Sequence, residues 1–226
     1  MAVSLAEVIR GVALGQGRTA SLPCAVVTME LQRGVMGDLA SFPALAEAAE
    51  QVGLIGNTKR ILDAARSFDI PVVHLTAEFR ADRAGSAANT PLHSAVLRRP
   101  EHLLEGTPSV EVISELGPEE SDLVVPRRHG ASPFSGTALD VTLRNLGVST
   151  VIVTGVSVNL GVLGLAIEAV NLGYQVVVAT DAVCGVPQDY AASVLRETIA
   201  LIATLATSEQ IIGALCEGMG TKPDSV

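Results

Sequence analysis

Acidic, amide and cationic side chains stand directly after the first two apolar runs of this sequence. Glu30 and Gln32 follow the first run, and Glu78 and Arg80 follow the second. A carboxyl group can donate or accept a proton in general acid–base catalysis. An arginine can bind a carboxylate through two parallel hydrogen bonds. These four residues are therefore candidates for proton transfer and for binding a small acid.

The third and fourth apolar runs are followed by a cationic segment and by the start of a helix. Arg127 and Arg128 come after the third run, and the segment 155–161 (GVSVNLG) comes after the fourth. Backbone N–H groups at the start of a helix, here around Ser157 and Gly161, can bind an oxyanion or a carboxylate. The sequence thus offers an acid, a cation and an anion site.

Six short runs, most of them rich in Val or Ile, are candidates for the strands that position these residues. Most runs are continuous, which is typical of parallel strands covered on both faces. They are 24–29, 71–75, 122–125, 150–154, 175–179 and 200–205, the last being ambiguous because it continues a helical pattern. Helical periods cover 48–68, 136–146 and 159–172, and Gly147 and Gly173 are stop signals for the last two. Alternating strands and helices predict a parallel sheet, whose carboxyl edge holds the ligand site.

The composition agrees with an α/β protein and argues against several other classes. Hydrophobic residues make up 48% of the 226 residues and charged residues 17%, so the chain is not disordered. A net charge of −9 without a Lys/Arg block argues against binding to nucleic acid or to an anionic membrane surface. No apolar run approaches the ~20 residues of a membrane span. Three cysteines far apart predict no disulfide framework and favour the cytoplasm.

Three segments together resemble the isochorismatase-like hydrolase superfamily, over residues 23–215. Residues 25–32 (AVVTMELQ) are similar to that family's strand ending in Asp-Met-Gln, and 128–139 (RHGASPFSGTAL) to its Lys-x-x-x-Ser-Ala-Phe-x-Gly-Thr pattern. Residues 150–182 are similar to its Gly-Val helix followed by Gly-Tyr and Asp-Ala. The resemblance implies a Rossmann-like three-layer α/β/α sandwich with a six-stranded parallel sheet, in a single domain of residues 1–226.

The catalytic Asp, Lys and Cys of the family's amidases correspond to Glu30, Arg128 and Gly161. Glycine offers no nucleophile, so amidase chemistry through a covalent thiol intermediate is not expected. Cys184 is expected to be a small buried hydrophobe. Isochorismatases of the superfamily hydrolyse a vinyl ether without the cysteine, using the carboxylic acid after the first strand as proton donor. The resemblance therefore implies a cysteine-independent hydrolase with Glu30 as acid or base, Arg128 as its orienting cation and an anion site around Ser157.

Two other hypotheses stay open. Arg128 cannot lose its charge and would hold Glu30 ionised, whereas burial would favour the protonated acid. The alternative function is therefore an inactive family member that binds a metabolite or a protein partner, with Glu30 and Arg128 as a structural ion pair. A third hypothesis is a purely structural role, since this family commonly forms homo-oligomers.

Three segments stand outside the regular strand and helix pattern. Residues 80–108 are too long for an ordinary connection in a compact α/β domain, and we expect them to form a lid or binding loop over the site. In the extension 1–22, residues 1–14 have the pattern of a short amphipathic helix, and the polar tail 218–226 is expected to be frayed.

The remaining expectations concern ligands and the backbone at the site. No metal is expected, because nothing like the family's Asp-x-His cluster follows Glu30. No cofactor is expected, because neither a P-loop nor a GxGxxG follows the first strand. The substrate is a small molecule, carboxylated if Arg80 and Arg83 bind it. The resemblance also implies a non-proline cis peptide between Val156 and Ser157.

Overall fold

Six parallel strands form the centre of the protein. The computed structural model describes residues 4–11, 22–41 and 43–219, and every structural statement below concerns these residues. The strands are β1 Cys24–Met29, β2 Val72–Ala77, β3 Leu123–Arg127, β4 Thr150–Val156, β5 Gln175–Cys184 and β6 Thr204–Ala206. Their order across the sheet is β3-β2-β1-β4-β5-β6, with every neighbouring pair parallel. The order reverses between β1 and β4, which is where open α/β sheets bind their ligands.

Helices cover both faces of this sheet. They are α1 Leu5–Ile9, α2 Pro43–Gln51, α3 Leu54–Ser67, α4 Pro91–Leu97, α5 Leu139–Asn145, α6 Leu163–Asn171, α7 Gln188–Glu197 and α8 Ser208–Met219. One apolar core joins the sheet to α1, α2, α3 and α8, and a second core on the opposite face joins it to α5, α6 and α7. The predicted three-layer α/β/α sandwich is confirmed, and no described helix is long and apolar enough to cross a membrane.

The region 48–68, predicted as one helix, is two helices in the structure. The break falls at Gly53, whose φ of 65° is left-handed and therefore ends the helical path. Val52 beside it is exposed. The predicted stop signals Gly147 and Gly173 do have left-handed φ values, of 70° and 87°. The ambiguous run 200–205 is divided between a short 3₁₀ turn and β6.

The backbones of β1 and β4 approach each other closely at the carboxyl edge. A Cβ atom at Gly155 would lie 2.2 Å from the carbonyl oxygen of Met29, and the φ of Gly155 is 106°. Only glycine permits both the contact and the conformation. This close approach brings the residue after β1 next to the turn after β4.

His74 is a core histidine with both ring nitrogens paired, as the sequence predicts. Its Nδ1 lies 2.8 Å from the Thr28 hydroxyl and its Nε2 lies 3.2 Å from the Asp122 carboxylate. Arg66 binds the same carboxylate at 2.6 Å. Burial lowers the pKa of His74, although Asp122 opposes that shift. These bonds tie the start of β3 to the middle of the sheet.

The extension and the tail are only partly described. Residues 4–11 contain α1, whose N-cap Ser4 forms a capping box with Glu7. The rest of the predicted helix 1–14, and residues 12–21 of the extension, lie outside the described residues. The same is true of residues 220–226 of the predicted frayed tail.

Candidate active site

Glu30 follows β1 directly, at the point where the strand order reverses. Its φ of 51° is left-handed, and its backbone N–H donates to Leu75 O at 2.9 Å. A long side chain rarely adopts this conformation, and residues held there cluster at functional sites. The Glu30 carboxylate is mostly buried, with 21% of the side chain exposed. The turn thus places the Glu30 carboxylate in a mostly buried position at the carboxyl edge of the sheet.

Arg127, and not Arg128, is the cation that meets Glu30. Arg127 Nη2 donates to Glu30 Oε1, and the Arg127 side chain is buried. The Arg128 guanidinium is 54% exposed and pairs with Glu105 at 2.7 Å. The expected Glu30–Arg128 pair is therefore wrong, because successive side chains of a strand point to opposite faces and Arg127 has the inward phase of β3.

The loop after β3 completes the surroundings of Arg127. Its Nη1 donates to Gly130 O, and His93 Nε2 lies 3.1 Å from the same carbonyl oxygen. The other ring nitrogen of His93, Nδ1, lies 3.0 Å from the hydroxyl of Thr90, which is the N-cap of α4. Gly130 O therefore connects Arg127 with α4.

The turn after β4 begins with the expected non-proline cis peptide between Val156 and Ser157. A π-helical turn, Val158–Val162, follows and continues into α6. Gly161 in this turn is buried, and a Cβ atom there would lie 2.8 Å from Met29 Cε and 3.0 Å from Val156 O. Met29 thus takes the space into which a side chain at position 161 would grow.

These residues meet in one cavity of about 420 Å³ at the carboxyl edge of the sheet. Glu30, Arg127, Ser157 and Gly161 line it together with mainly apolar side chains. The further lining residues are Val35, Ala44, Leu45, Ala77, Phe79, Leu92, His93, Val96, His102, Leu103, Gly130, Ala131, Asn159, Leu160 and Val186. A pocket of this size with a few convergent polar groups is typical of a small-molecule site.

Two of the predicted binding residues serve the framework instead of the cavity. Gln32 is fully buried, and its amide exchanges hydrogen bonds with the Ala77 backbone at 2.7 and 3.1 Å and donates to Val110 O. Glu78 accepts a 2.9 Å hydrogen bond from the Thr76 hydroxyl. Neither Gln32 nor Glu78, both predicted to bind substrate, is among the residues that line the cavity. Glu78 alternates with the cavity-lining Ala77 and points away from it.

The two arginines expected to bind a carboxylate are also outside the cavity lining. Arg80 is exposed and pairs with Asp82 at 2.8 Å. Arg83 stacks on the Phe79 ring, and its guanidinium donates to backbone carbonyls of the segment 99–102. Their charges are thus engaged within the segment that carries them.

The segment 80–108 lies over the cavity and contains the helix α4. Leu92, His93 and Val96 of α4, and His102 and Leu103 after it, line the cavity. Burial, with the charges of Arg99 and Arg83, lowers the pKa of His102 to about 4. Five residues of the segment thus line the cavity; that the segment acts as a lid or binding loop stays a prediction.

None of the described cysteines lines the cavity. Cys24 and Cys184 are buried, and burial raises the pKa of their thiols to about 12 and about 11. A thiol with a raised pKa is a weak nucleophile at neutral pH. The third, Cys216, is exposed on α8. The structure thus places Cys184 as the buried hydrophobe that the sequence predicts.

Among the described residues, no group of three or more His, Cys, Asp or Glu is arranged to hold a metal.

Sequence reasoning missed the contributions of His93, His102 and Leu92 to the cavity. A signal for them was present in the length of 80–108, because long connections at this edge cover binding sites. Arg127 was in view as a residue after the third strand. Choosing Arg127 over Arg128 as the partner of Glu30 requires knowing which residues of β3 point inward. The sequence of a five-residue strand at the edge of the sheet does not show this.

Comparison with known proteins agrees with this fold. A family model for the isochorismatase domain matches residues 24–210. An uncharacterized isochorismatase family protein, YwoC from Bacillus subtilis, is 27% identical over 191 residues, which are 83% of this chain and 92% of that protein. Ureidoacrylate amidohydrolase RutB from Rhizobium rhizogenes is 30% identical over 174 residues, 70% of this chain and 69% of that protein. A solved isochorismatase family protein from Desulfovibrio vulgaris superposes with a TM-score of 0.73 at 26% identity, covering 86% of this chain and 98% of that one.

Proposed function

Because the chain belongs to the isochorismatase family, we propose that it is a small-molecule hydrolase that works without a cysteine nucleophile. Glu30 is its general acid or base, and Arg127 takes the role first given to Arg128. The observation that carries the proposal is the Glu30–Arg127 pair in the wall of the cavity, next to the turn at Ser157–Gly161. The unusual backbone conformation of Glu30 supports a functional role for its carboxyl group.

The two oxygens of the Glu30 carboxyl group have different environments. Arg127 binds Oε1, and Oε2 has no hydrogen-bond partner among the described residues, although Glu30 lines the cavity. Oε1 is thereby held in place while Oε2 remains for a ligand or a water molecule. In hydrolysis of a vinyl ether, Oε2 would transfer its proton to the alkene carbon. Water would then add to the resulting oxocarbenium carbon and return a proton to the Glu30 carboxylate, and the hemiketal would break down to a carbonyl compound and an alcohol.

Amide hydrolysis through a covalent thiol intermediate is not part of the proposal. One relative is named an amidohydrolase, but none of the described residues that line this cavity is a cysteine. Position 161, where the family resemblance places the nucleophile, is glycine. The chemistry left to these residues is acid–base catalysis on a bond that water can attack.

The second candidate function is an inactive member that binds a metabolite. A specific observation favours it, because the Glu30–Arg127 pair is satisfied without any ligand. In that case Glu30 would hold the loop after β3 and would not exchange a proton with a substrate. Turnover, and its response to a change at Glu30, separates the two functions.

The test is hydrolysis of a panel of small vinyl ethers, esters and amides by the parent protein, Glu30→Gln and the control Glu78→Gln. Glutamine keeps the shape of Glu30 but cannot give up a proton at neutral pH, so kcat should fall roughly a hundredfold or more. Glu78→Gln removes a nearby carboxylate outside the cavity and should stay within a few-fold of the parent. Full turnover by Glu30→Gln would exclude Glu30 as the catalytic acid or base. A parent protein that turns over no compound would favour the inactive member.

We also propose a cellular compartment and an oligomeric state for the protein. The described cysteines are unpaired, which fits a reducing cytoplasm, and we retain the homo-oligomer expected from the family resemblance. A carboxylated substrate would have to be bound by Arg127, because Arg80 and Arg83 are engaged outside the cavity. Light scattering of the purified protein measures the oligomeric state directly.

A further inference from the structure

The cavity wall contains one cation and one carboxyl group that can neutralise it. Among the described lining residues these are Arg127 and Glu30, and they bind each other. The second terminal nitrogen of Arg127 donates to Gly130 O. The one cation in the wall is therefore already paired with an anion and a carbonyl before any ligand enters.

Apart from Arg127, no arginine is among the described residues that line the cavity. Arg80 pairs with Asp82, Arg128 pairs with Glu105, and Arg83 donates to three backbone carbonyls. A carboxylate moved into the cavity would lose its hydration without gaining an unpaired cation there. Such a transfer is costly in a low-dielectric site.

The wall and the mouth of the cavity are apolar. Phe79, Val96 and Leu103 form buried parts of the wall. Leu92, Leu160 and Val186 also line the cavity, yet 40–43% of each is exposed. Large apolar side chains grouped at an opening, with water on one side, are typical of an apolar ligand's binding site.

We propose that the ligand of this cavity is an uncharged molecule with an apolar body, such as an aryl or alkyl amide, ester or ether, whose polar end faces Glu30. This inference rests on the proposed function for the identity of the cavity as the substrate site. It concerns which molecules bind, and equilibrium binding can be measured without any turnover. A failure of the hydrolase proposal would therefore leave the binding result standing, and the reverse is also true.

The first test compares benzamide, benzoate and acetamide by calorimetry at neutral pH. Benzamide and benzoate have nearly the same shape and differ in charge, whereas acetamide keeps the amide and lacks the apolar body. Benzamide should bind roughly tenfold or more tightly than either of the others. Equal or tighter binding of benzoate would overturn the uncharged ligand, and equal binding of acetamide would overturn the apolar body. Absence of benzamide binding at millimolar concentration would overturn the whole inference.

Two variants test whether the charge of the cavity selects an uncharged ligand. One removes the anion and the other adds a cation. Glu30→Gln leaves Arg127 without its anion, and Leu92→Lys adds a cation at the exposed mouth; both should shift the ratio of benzoate affinity to benzamide affinity roughly tenfold towards benzoate. Leu92→Met is the matched uncharged control and should keep the preference of the parent protein. If the affinity ratio shifts in neither variant, charge balance in the cavity does not set the ligand class.

Discussion

Two adjacent arginines follow the same strand, yet their side chains have different environments. Arg127 has the inward phase of β3 and is 8% exposed, whereas Arg128 has the outward phase and is 54% exposed. An ion pair in water contributes little, but loss of one partner of a buried pair leaves an uncompensated charge. The two neighbours therefore allow a matched comparison of the same residue type.

We expect Arg127→Gln to lower the free energy of unfolding by roughly 2 kcal/mol, because Glu30 is left partly buried without its cation. Arg128→Gln should change it by less than about 0.5 kcal/mol, because its pair with Glu105 is exposed. Urea denaturation of both variants measures the difference. Equal effects of the two substitutions would show that the Glu30–Arg127 pair does not stabilise the fold.

Position 161 is crowded by the Met29 side chain and by the carbonyl oxygen of Val156. The Cβ atom of Gly161→Ala would crowd Met29 Cε at 2.8 Å, and overpacking of this kind costs about 1–2 kcal/mol. Met29→Leu, which lacks the terminal methyl position, should remove much of that cost. A double-mutant cycle by urea denaturation should therefore show that the double variant is more stable than the sum of the single effects. Strict additivity would contradict the contact.

At the scale of elements, α4 is a short helix that covers the cavity. It has seven residues, begins at the N-cap Thr90 and is tied to the loop after β3 through His93 and Gly130 O. Ser86 adds a 2.8 Å hydrogen bond to Arg128 O. Short helices held by a few bonds open locally at a lower free energy than the sheet.

We expect His93→Ala to speed backbone hydrogen exchange in 91–97 while leaving exchange in β1 unchanged, because the bond to Gly130 O is lost. Ser94→Ala is the control on the same helix, since its hydroxyl bonds to Ala88 O within the covering segment. It should affect exchange in α4 less. Exchange rates that rise across the whole molecule would mean that His93 supports the global fold and does not act as a local tie.

The elements that the sequence predicted best are those with one dominant signal. β1 is found at its predicted bounds, because its six apolar or small residues are all buried in the middle of the sheet. The division between α2 and α3 was missed, since the apolar spacing continues across Gly53 and glycine is also tolerated inside a helix. β5 extends to Cys184, beyond its predicted end, because pairing with β4 resumes after a register shift at Val153/Gly155.

The location of the candidate site could be predicted from the sequence, but many of its side-chain contacts could not. Glu30 and Gly161 were found because the carboxyl ends of β1 and β4 meet at the point where strand order reverses. Gln32 was predicted to bind the substrate. In the structure its buried amide instead forms hydrogen bonds with the backbone N–H and carbonyl groups of Ala77. Nothing in an amide's position along the chain distinguishes a framework role from a ligand contact.

At the scale of the whole molecule, buried histidines set how stability responds to acid. Burial lowers the pKa of His102 to about 4, and burial also lowers that of His74 despite Asp122. The folded protein thus binds fewer protons than the unfolded chain below the ordinary histidine pKa of about 6.5. Stability is complete above that pH and is lost as the pH falls towards 4. The Asp122 carboxylate contributes in a still more acidic range: burial raises its pKa, but hydrogen bonds from Arg66 and the Glu119 N–H outweigh that effect and lower it overall.

We expect the free energy of unfolding to decrease steadily between about pH 6.5 and pH 4.5, and His102→Gln to flatten that decrease. Chemical denaturation at a series of pH values provides the slope for the parent and the variant. Above pH 7 the two curves should run parallel. An unchanged slope in His102→Gln would show that protonation of this histidine does not account for acid sensitivity.

The strand order also has a consequence for synthesis of the chain on the ribosome. β1 is made first among the strands and ends in the middle of the sheet, with β2 on one side and β4 on the other. One of its edges can be paired as soon as β2 has emerged, whereas the other stays open until Thr150–Val156 has been translated. An apolar strand with an open edge invites pairing with other chains. We therefore expect the strand that will later carry Glu30 to be most exposed to mispairing while residues 80–127 and β4 are still being synthesised.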